Sequence, residues 1–168
     1  MQPLTSIRAT YSALLVAGSL LISSGGALAA SDLSERFEIS LIGTSGSQYA
    51  MIEQTGNENF ANTYQSGSYN ISRILQTGAG NRGNISQSGS AHDARVLQSG
   101  DYLDASIIQH GHMHTASITQ SGFGKEAEII QHGAYGSANI QQLGNYHATP
   151  VSITQISHGS AVVQVYQH

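Results

Sequence analysis

An eleven-residue period runs through the middle of the chain and restricts its fold more than any other feature. Glutamine recurs at every eleventh position from Gln54 to Gln142, and glycine follows each of these glutamines two places later. The residue two places before each glutamine is usually isoleucine, and the residue four places before it is usually alanine. Even offsets put these side chains on one face of a strand. The period therefore predicts a strand of about seven residues and a turn of about four, repeated along the chain.

The residues that carry the period form three predicted structural columns. The inward glutamines are Gln54, Gln65, Gln76, Gln87, Gln98, Gln109, Gln120, Gln131 and Gln142. The inward isoleucines are Ile52, Ile74, Ile85, Ile107, Ile118, Ile129 and Ile140. The turn glycines are Gly56, Gly67, Gly78, Gly89, Gly100, Gly111, Gly122, Gly133 and Gly144.

Two such units make a 22-residue coil, and successive coils can stack with parallel strands about 4.8 Å apart. Alternate glutamines then form one ladder on each of two opposing sheets, with the isoleucine columns meeting between them. Each buried amide can donate to the next rung, which offsets its loss of contact with water. The predicted fold is an all-β solenoid of about five stacked 22-residue coils, with the strand spacing of cross-β structure.

The ends of the chain depart from the period. Arg8, an uncharged apolar run over 13–22 and small residues up to Ala29 predict a secretory signal peptide over 1–29, cut after Ala29. The run is about half as long as a bilayer span, which disfavours a membrane anchor. Residues 30–47 are predicted to be a non-repeat leader. We expect the leader to be flexible, and a capping strand over 37–42 is the alternative.

The predicted repeats cover 48–148, and 149–168 form a divergent terminal repeat. Gln155 lies two places beyond the position that the period predicts, and Ser157 stands where glycine is expected. The alternation of the last strand predicts that Val165 occupies the final glutamine position. Both terminal rungs are expected to leave unpaired strand edges.

Composition excludes several classes of function. The chain has no cysteine, which removes disulfides, thiolate metal sites and cysteine nucleophiles, and its formal charge of −4 argues against nucleic-acid binding. No zinc-protease motif is present, and four-residue turns leave no room for the groove of a polysaccharide lyase. We therefore predict no enzyme activity, no catalytic residues and no cofactor.

Histidines recur at equivalent places on adjacent predicted rungs, as His92 with His114 and His110 with His132. Clustered imidazoles can bind zinc or copper. The simpler interpretation is that histidine replaces asparagine as a polar turn residue, so no metal site is predicted.

The unit Gln54-Thr55-Gly56-Asn57-Glu58-Asn59-Phe60-Ala61-Asn62-Thr63-Tyr64-Gln65 resembles the curlin repeat of bacterial curli fimbriae, and the resemblance covers roughly 48–167. It implies a secreted structural subunit of functional amyloid fibres on the cell surface, with a role in adhesion and biofilm matrix. The recurring Ala-x-Ile-x-Gln and the irregular last repeat are most similar to the minor, nucleating subunit. The implied partners are the chain itself, the major curlin, and the secretion pore and assembly factors at the outer membrane. The alternatives are the major fibre subunit and a monomeric β-solenoid that serves as a binding or adhesin module.

Overall fold

The described structure is made of strands joined by tight turns. It is a computed structural model, and it describes Gly26–Ala29, Phe37–Ile42 and residues 48–168. The strands are β1 (Gly26–Ala29), β2 (Phe37–Ile42), β3 (Tyr49–Thr55), β4 (Phe60–Ser68), β5 (Ile71–Thr77), β6 (Arg82–Ser90), β7 (Asp93–Asp101), β8 (Asp104–His112), β9 (Thr115–Phe123), β10 (Glu126–Gln142) and β11 (Val151–Gln167). The described residues contain no apolar helix long enough to cross a bilayer.

Parallel pairing joins every strand from β3 onward to the strand one coil further along the chain. β3 pairs with β5, β5 with β7 and β7 with β9, while β4 pairs with β6 and β6 with β8. Each residue of these strands lies opposite its equivalent in the next coil, so Gln54 lies opposite Gln76 and Gln65 opposite Gln87. The prediction of a β-solenoid of about five stacked coils, each made of two eleven-residue units, is confirmed.

These pairings form two opposing layers of strands, and β10 and β11 each run through both layers. We call sheet A the layer of β3, β5, β7, β9 and the C-terminal halves of β10 and β11. Sheet B is the layer of β4, β6, β8 and the N-terminal halves of β10 and β11. Residues 126–134 of β10 extend sheet B, and residues 137–142 extend sheet A.

The space between the sheets is filled by the predicted isoleucines and by the alanines beside them. Every isoleucine of the predicted column is fully buried, and so is Val96, which stands in the same column. Burial alternates residue by residue along the strands, as in β5 and β8. Fully burying an aliphatic side chain contributes about 1.5–3 kcal/mol, so the column supplies the apolar part of the core.

The N-terminal strands pair differently from the repeats. β2 pairs with β3 and β1 pairs with β4, and both pairs are antiparallel. Residues 37–42 therefore form the capping strand that was the alternative interpretation of the leader, and the expectation of a flexible leader is wrong for this segment. The apolar run over 13–22 lies outside the described residues, and the proposed cleavage after Ala29 stays a prediction.

Candidate functional site

Two continuous ladders of glutamine amides run the length of the solenoid. In sheet A, Nε2 of each glutamine donates to Oε1 of the next from Gln54 to Gln142, over 2.6–2.9 Å. In sheet B the same bonds run from Gln65 to Gln131 over 2.8–2.9 Å. The glutamines are buried, from fully buried to 5% exposed at Gln54. The structure thus brings all nine predicted glutamines together as two ladders.

The second N–H of each ladder amide from Gln65 to Gln131 crosses the core, which the sequence pattern does not reveal. Nε2 of Gln98 in sheet A donates to the carbonyl of Arg82 in sheet B at 2.9 Å, and Nε2 of Gln87 donates to the carbonyl of Ile71 at 2.8 Å. The same bond recurs at equivalent positions from Gln65 to Gln131. Each of these amides therefore binds one rung to the next and one sheet to the other.

The predicted turn glycines form a stacked column of their own. Each has a positive φ, from 99° at Gly133 to 136° at Gly100. A Cβ on Gly100 would collide with the carbonyl oxygen of Gly122 on the next rung, and the same holds along the column as far as Gly133. Glycine is required here both for its backbone conformation and for the close approach of neighbouring coils.

A column of asparagines bonds adjacent turns. Nδ2 of Asn81 donates to the carbonyl of Gly100 at 2.7 Å, and Oδ1 of Asn81 accepts from the backbone N–H of Leu103 at 3.0 Å. This column lies six places before each glutamine, where the sequence pattern is loosest. It satisfies backbone groups that the turns would otherwise leave unpaired.

His92 and His114 stand in the equivalent column before the strands of sheet A and make some of the bonds that asparagine makes there. Nδ1 of His92 accepts from the N–H of His114 at 3.2 Å, and its Nε2 contacts the carbonyl of Ser88 at 3.2 Å. The two rings stack with centroids 5.3 Å apart. Burial lowers the pKa of His92 to about 4 and also lowers the pKa of His114. These imidazoles are therefore neutral structural groups at neutral pH.

Lys125 is buried in the asparagine column on the other sheet, and its role could not be predicted from its position. Its Nζ donates to the carbonyls of Gly144 and Tyr146, at 2.9 and 2.6 Å. His147 packs edge-on against Phe123, with centroids 4.9 Å apart. These contacts hold the loop over 143–150, which contains the extra residues of the last repeat, against the preceding turn.

The divergent terminal repeat forms two further rungs of the same ladders. Gln131 donates to Gln155 at 2.7 Å, and Gln142 donates to Gln167 at 2.9 Å. The sequence separation between these partners is 24 and 25, against 22 in the regular rungs. The loop over 143–150 and a bulge in β11 take up the extra length, and the bulge moves Gln167 into register. Val165 lies opposite Ile140 in the isoleucine column, so the prediction that it occupies the glutamine position is wrong.

The remaining histidine pair lies on the outside of sheet B. The rings of His110 and His132 are 5.9 Å apart, with an angle of 61° between their planes. In the part of the chain that the structure describes, no group of three or more potential metal ligands comes together.

Comparison with known families identifies the repeated unit. The model of the curlin associated repeat matches residues 56–82 and 80–111. Residues 56–111, a third of the chain, therefore match curlin repeats. Searches of curated proteins and of solved structures give no match.

Beyond the matched residues the same strand pairing and the same glutamine ladders continue through β9, β10 and β11. This supports placing the chain in the curlin family and favours a structural role over an enzymatic one. A curli-type structural subunit is the function that such repeats suggest.

The two ends of the solenoid differ. At the N-terminal end β2 covers the edge of β3 and β1 covers the edge of β4, so the expectation that both ends are open is wrong for this end. At the C-terminal end β11 pairs with β10, and with no other strand of the described residues. Ile156, Val162 and Tyr166 are exposed there, and no Lys, Arg, Asp or Glu occurs in β11. Strand edges are usually protected by charge or by a covering element, and β11 has neither among the described residues.

Proposed function

We propose that this chain is a secreted structural subunit of curli-type amyloid fibres and that it polymerises end to end through its terminal rungs. The observation that carries the proposal is the open, uncharged edge of β11 at the end of two complete amide ladders. An edge of this kind offers unpaired backbone groups, apolar columns and amides to an incoming strand.

Within this class we propose the role of the minor subunit, which nucleates the polymer at the cell surface. The solenoid is fully formed within one chain, so its edge can act as a template before any second copy binds. The major curlin is the partner that this role requires. The proposed location is extracellular, in fibres that serve adhesion and biofilm matrix. The chain would lose residues 1–29 and then leave the cell through the secretion pore and assembly factors of the outer membrane.

Seeding of a major curlin tests the nucleating role. Addition of this chain in small, substoichiometric amounts should shorten the lag of thioflavin fluorescence of the major curlin. The matched control is the same chain with Gly100→Ala, which places a Cβ against the carbonyl of Gly122 and so disturbs the stack in its middle. An unchanged lag with the unaltered chain would favour the major-subunit alternative.

Removal of the terminal repeat separates polymerisation from surface attachment. A chain without 149–168 keeps the regular rungs up to Gln142 and should still form fibres in solution, because β10 then presents the same columns at its edge. In cells the same deletion should release the protein into the medium. If the shortened chain stays on cells and nucleates normally, the terminal repeat is a simple cap.

A further inference from the structure

The number of eleven-residue units in the chain is odd, and this bears on how copies join in a fibre. The inference rests on the proposed polymerisation. β3 to β9 supply one eleven-residue unit each, whereas β10 and β11 supply two each, which gives eleven units. Six of these units lie in sheet A and five lie in sheet B. The chain path therefore begins in sheet A, at β3, and also ends in sheet A, at the C-terminal half of β11.

We infer that successive copies in a fibre are related by a half turn about the fibre axis. After the last unit in sheet A, the next position on the coil belongs to sheet B. An incoming β3 fills that position only when its copy is rotated by half a turn, and its β4 then stacks on the C-terminal half of β11. Without the rotation, the incoming β3 stacks on the C-terminal half of β11 in sheet A. Sheet B then lacks one strand between the two copies, which leaves one strand level empty.

The direction of the amide ladders supports this joint. Every ladder bond runs from Nε2 to Oε1 toward the C-terminal end, so Gln155 and Gln167 are the last members. At the other end, no described side chain donates to Oε1 of Gln54 or Gln65. With β1 and β2 displaced, a rotated joint places Gln155 against Gln54 and Gln167 against Gln65, and it continues both ladders. An unrotated joint continues one ladder and interrupts the other.

The covering strands do not alter the parity. β1 lies on the sheet B edge and β2 on the sheet A edge, so each sheet gains one strand. If both stay in place, or if both are displaced, the rotated joint closes without an empty level. If β1 is removed with the proposed signal peptide and β2 stays, the rotated joint leaves one empty level and the unrotated joint leaves two. The half turn is favoured in each case.

Helical reconstruction by cryo-electron microscopy of fibres of the exported chain tests the inference. With β1 and β2 displaced, a rotated joint gives a rise of about 26 Å per copy, and an unrotated joint gives about 29 Å, from a rung spacing of about 4.8 Å. The loop over 143–150 marks each copy, because it interrupts the regular turns at one edge of the solenoid. Successive loops should lie on opposite edges of the fibre, and loops on one edge would overturn the inference.

Two deletions provide matched variants. Deletion of 70–80 removes one unit and leaves an even number, so its copies should join without the half turn. Deletion of 70–91 removes a whole coil, leaves an odd number and should keep the half turn. If the shorter deletion does not fold, the unaltered chain and the 70–91 deletion still decide the question. Fibres without the rotation would refute this joint but leave the proposed function standing, whereas a chain that forms no fibres would refute both.

Discussion

Replacement of Gln98 by leucine tests the amide ladder most sharply, because Gln98 lies in the middle of the solenoid and is fully buried. Its Nε2 donates to Gln120 and to the carbonyl of Arg82, both at 2.9 Å, and its Oε1 accepts from Gln76 at 2.7 Å. Gln98→Leu keeps the bulk of the side chain and removes all three bonds. The two buried amides, of Gln76 and Gln120, lose a partner at about 1–3 kcal/mol each, so the fold should lose about 2–6 kcal/mol, and the carbonyl of Arg82 loses a part-buried bond.

Gln141→Leu is the control, because Gln141 is the neighbour of a ladder residue but lies on the outer face and is only half-buried. A surface change of this kind usually stays within about 0.5 kcal/mol. The assays are denaturant unfolding of freshly purified chain, followed by circular dichroism, and the lag of fibre formation. Gln98→Leu should lower the unfolding midpoint and lengthen the lag, whereas Gln141→Leu should change neither. Equal effects of the two substitutions would refute the assignment of inner and outer columns.

Three further predictions concern the turn glycines, His92 and Lys125. Gly100→Ala should prevent regular stacking, because its Cβ meets the carbonyl of the next rung, whereas Gly159→Ala has open space around it and should leave the circular dichroism spectrum unchanged. The pKa of His92 is about 4 in the fold and about 6.5 in the unfolded chain, so the unfolded chain binds the proton first as the pH falls. About 3 kcal/mol of folding stability should therefore be lost between pH 6.5 and pH 4. His92→Asn should flatten the pH profile of the unfolding midpoint. Lys125→Leu leaves two carbonyls of the loop over 143–150 without their donor. Hydrogen exchange and proteolysis in that loop should therefore rise, while the core strands keep their protection. Unchanged exchange would show that the loop is held by other contacts.

The sequence alone predicted the regular part of the molecule because its determinants repeat. Each unit carries the same glutamine, isoleucine and glycine at the same spacing, so one correct interpretation of the period applies to all of them. The ladder pairs, the burial of the isoleucines and the positive φ of the glycines all follow from that period. The structural role of His92 follows as well, since a polar residue in the asparagine column faces the same backbone groups as asparagine does.

The irregular parts could not be predicted, because insertions and bulges leave no periodic signal. The alternation of the last strand gave a wrong position to Val165, since the loop over 143–150 and the bulge in β11 add length that only the paired structure reveals. The bonds from each amide across the core depend on the geometry of the turn, which the period does not specify. The sequence also does not reveal the surroundings of Lys125, and only the fold shows that loop carbonyls bind its ammonium group.

Fibre diffraction of the exported chain tests the central claim, that this β-solenoid polymerises through its own rungs. The chain should form fibres within days at micromolar concentration. Aligned fibres should give a meridional reflection at about 4.7 Å and an equatorial reflection at about 10 Å. A chain that stays monomeric under these conditions, or fibres that lack the meridional reflection, would contradict the account.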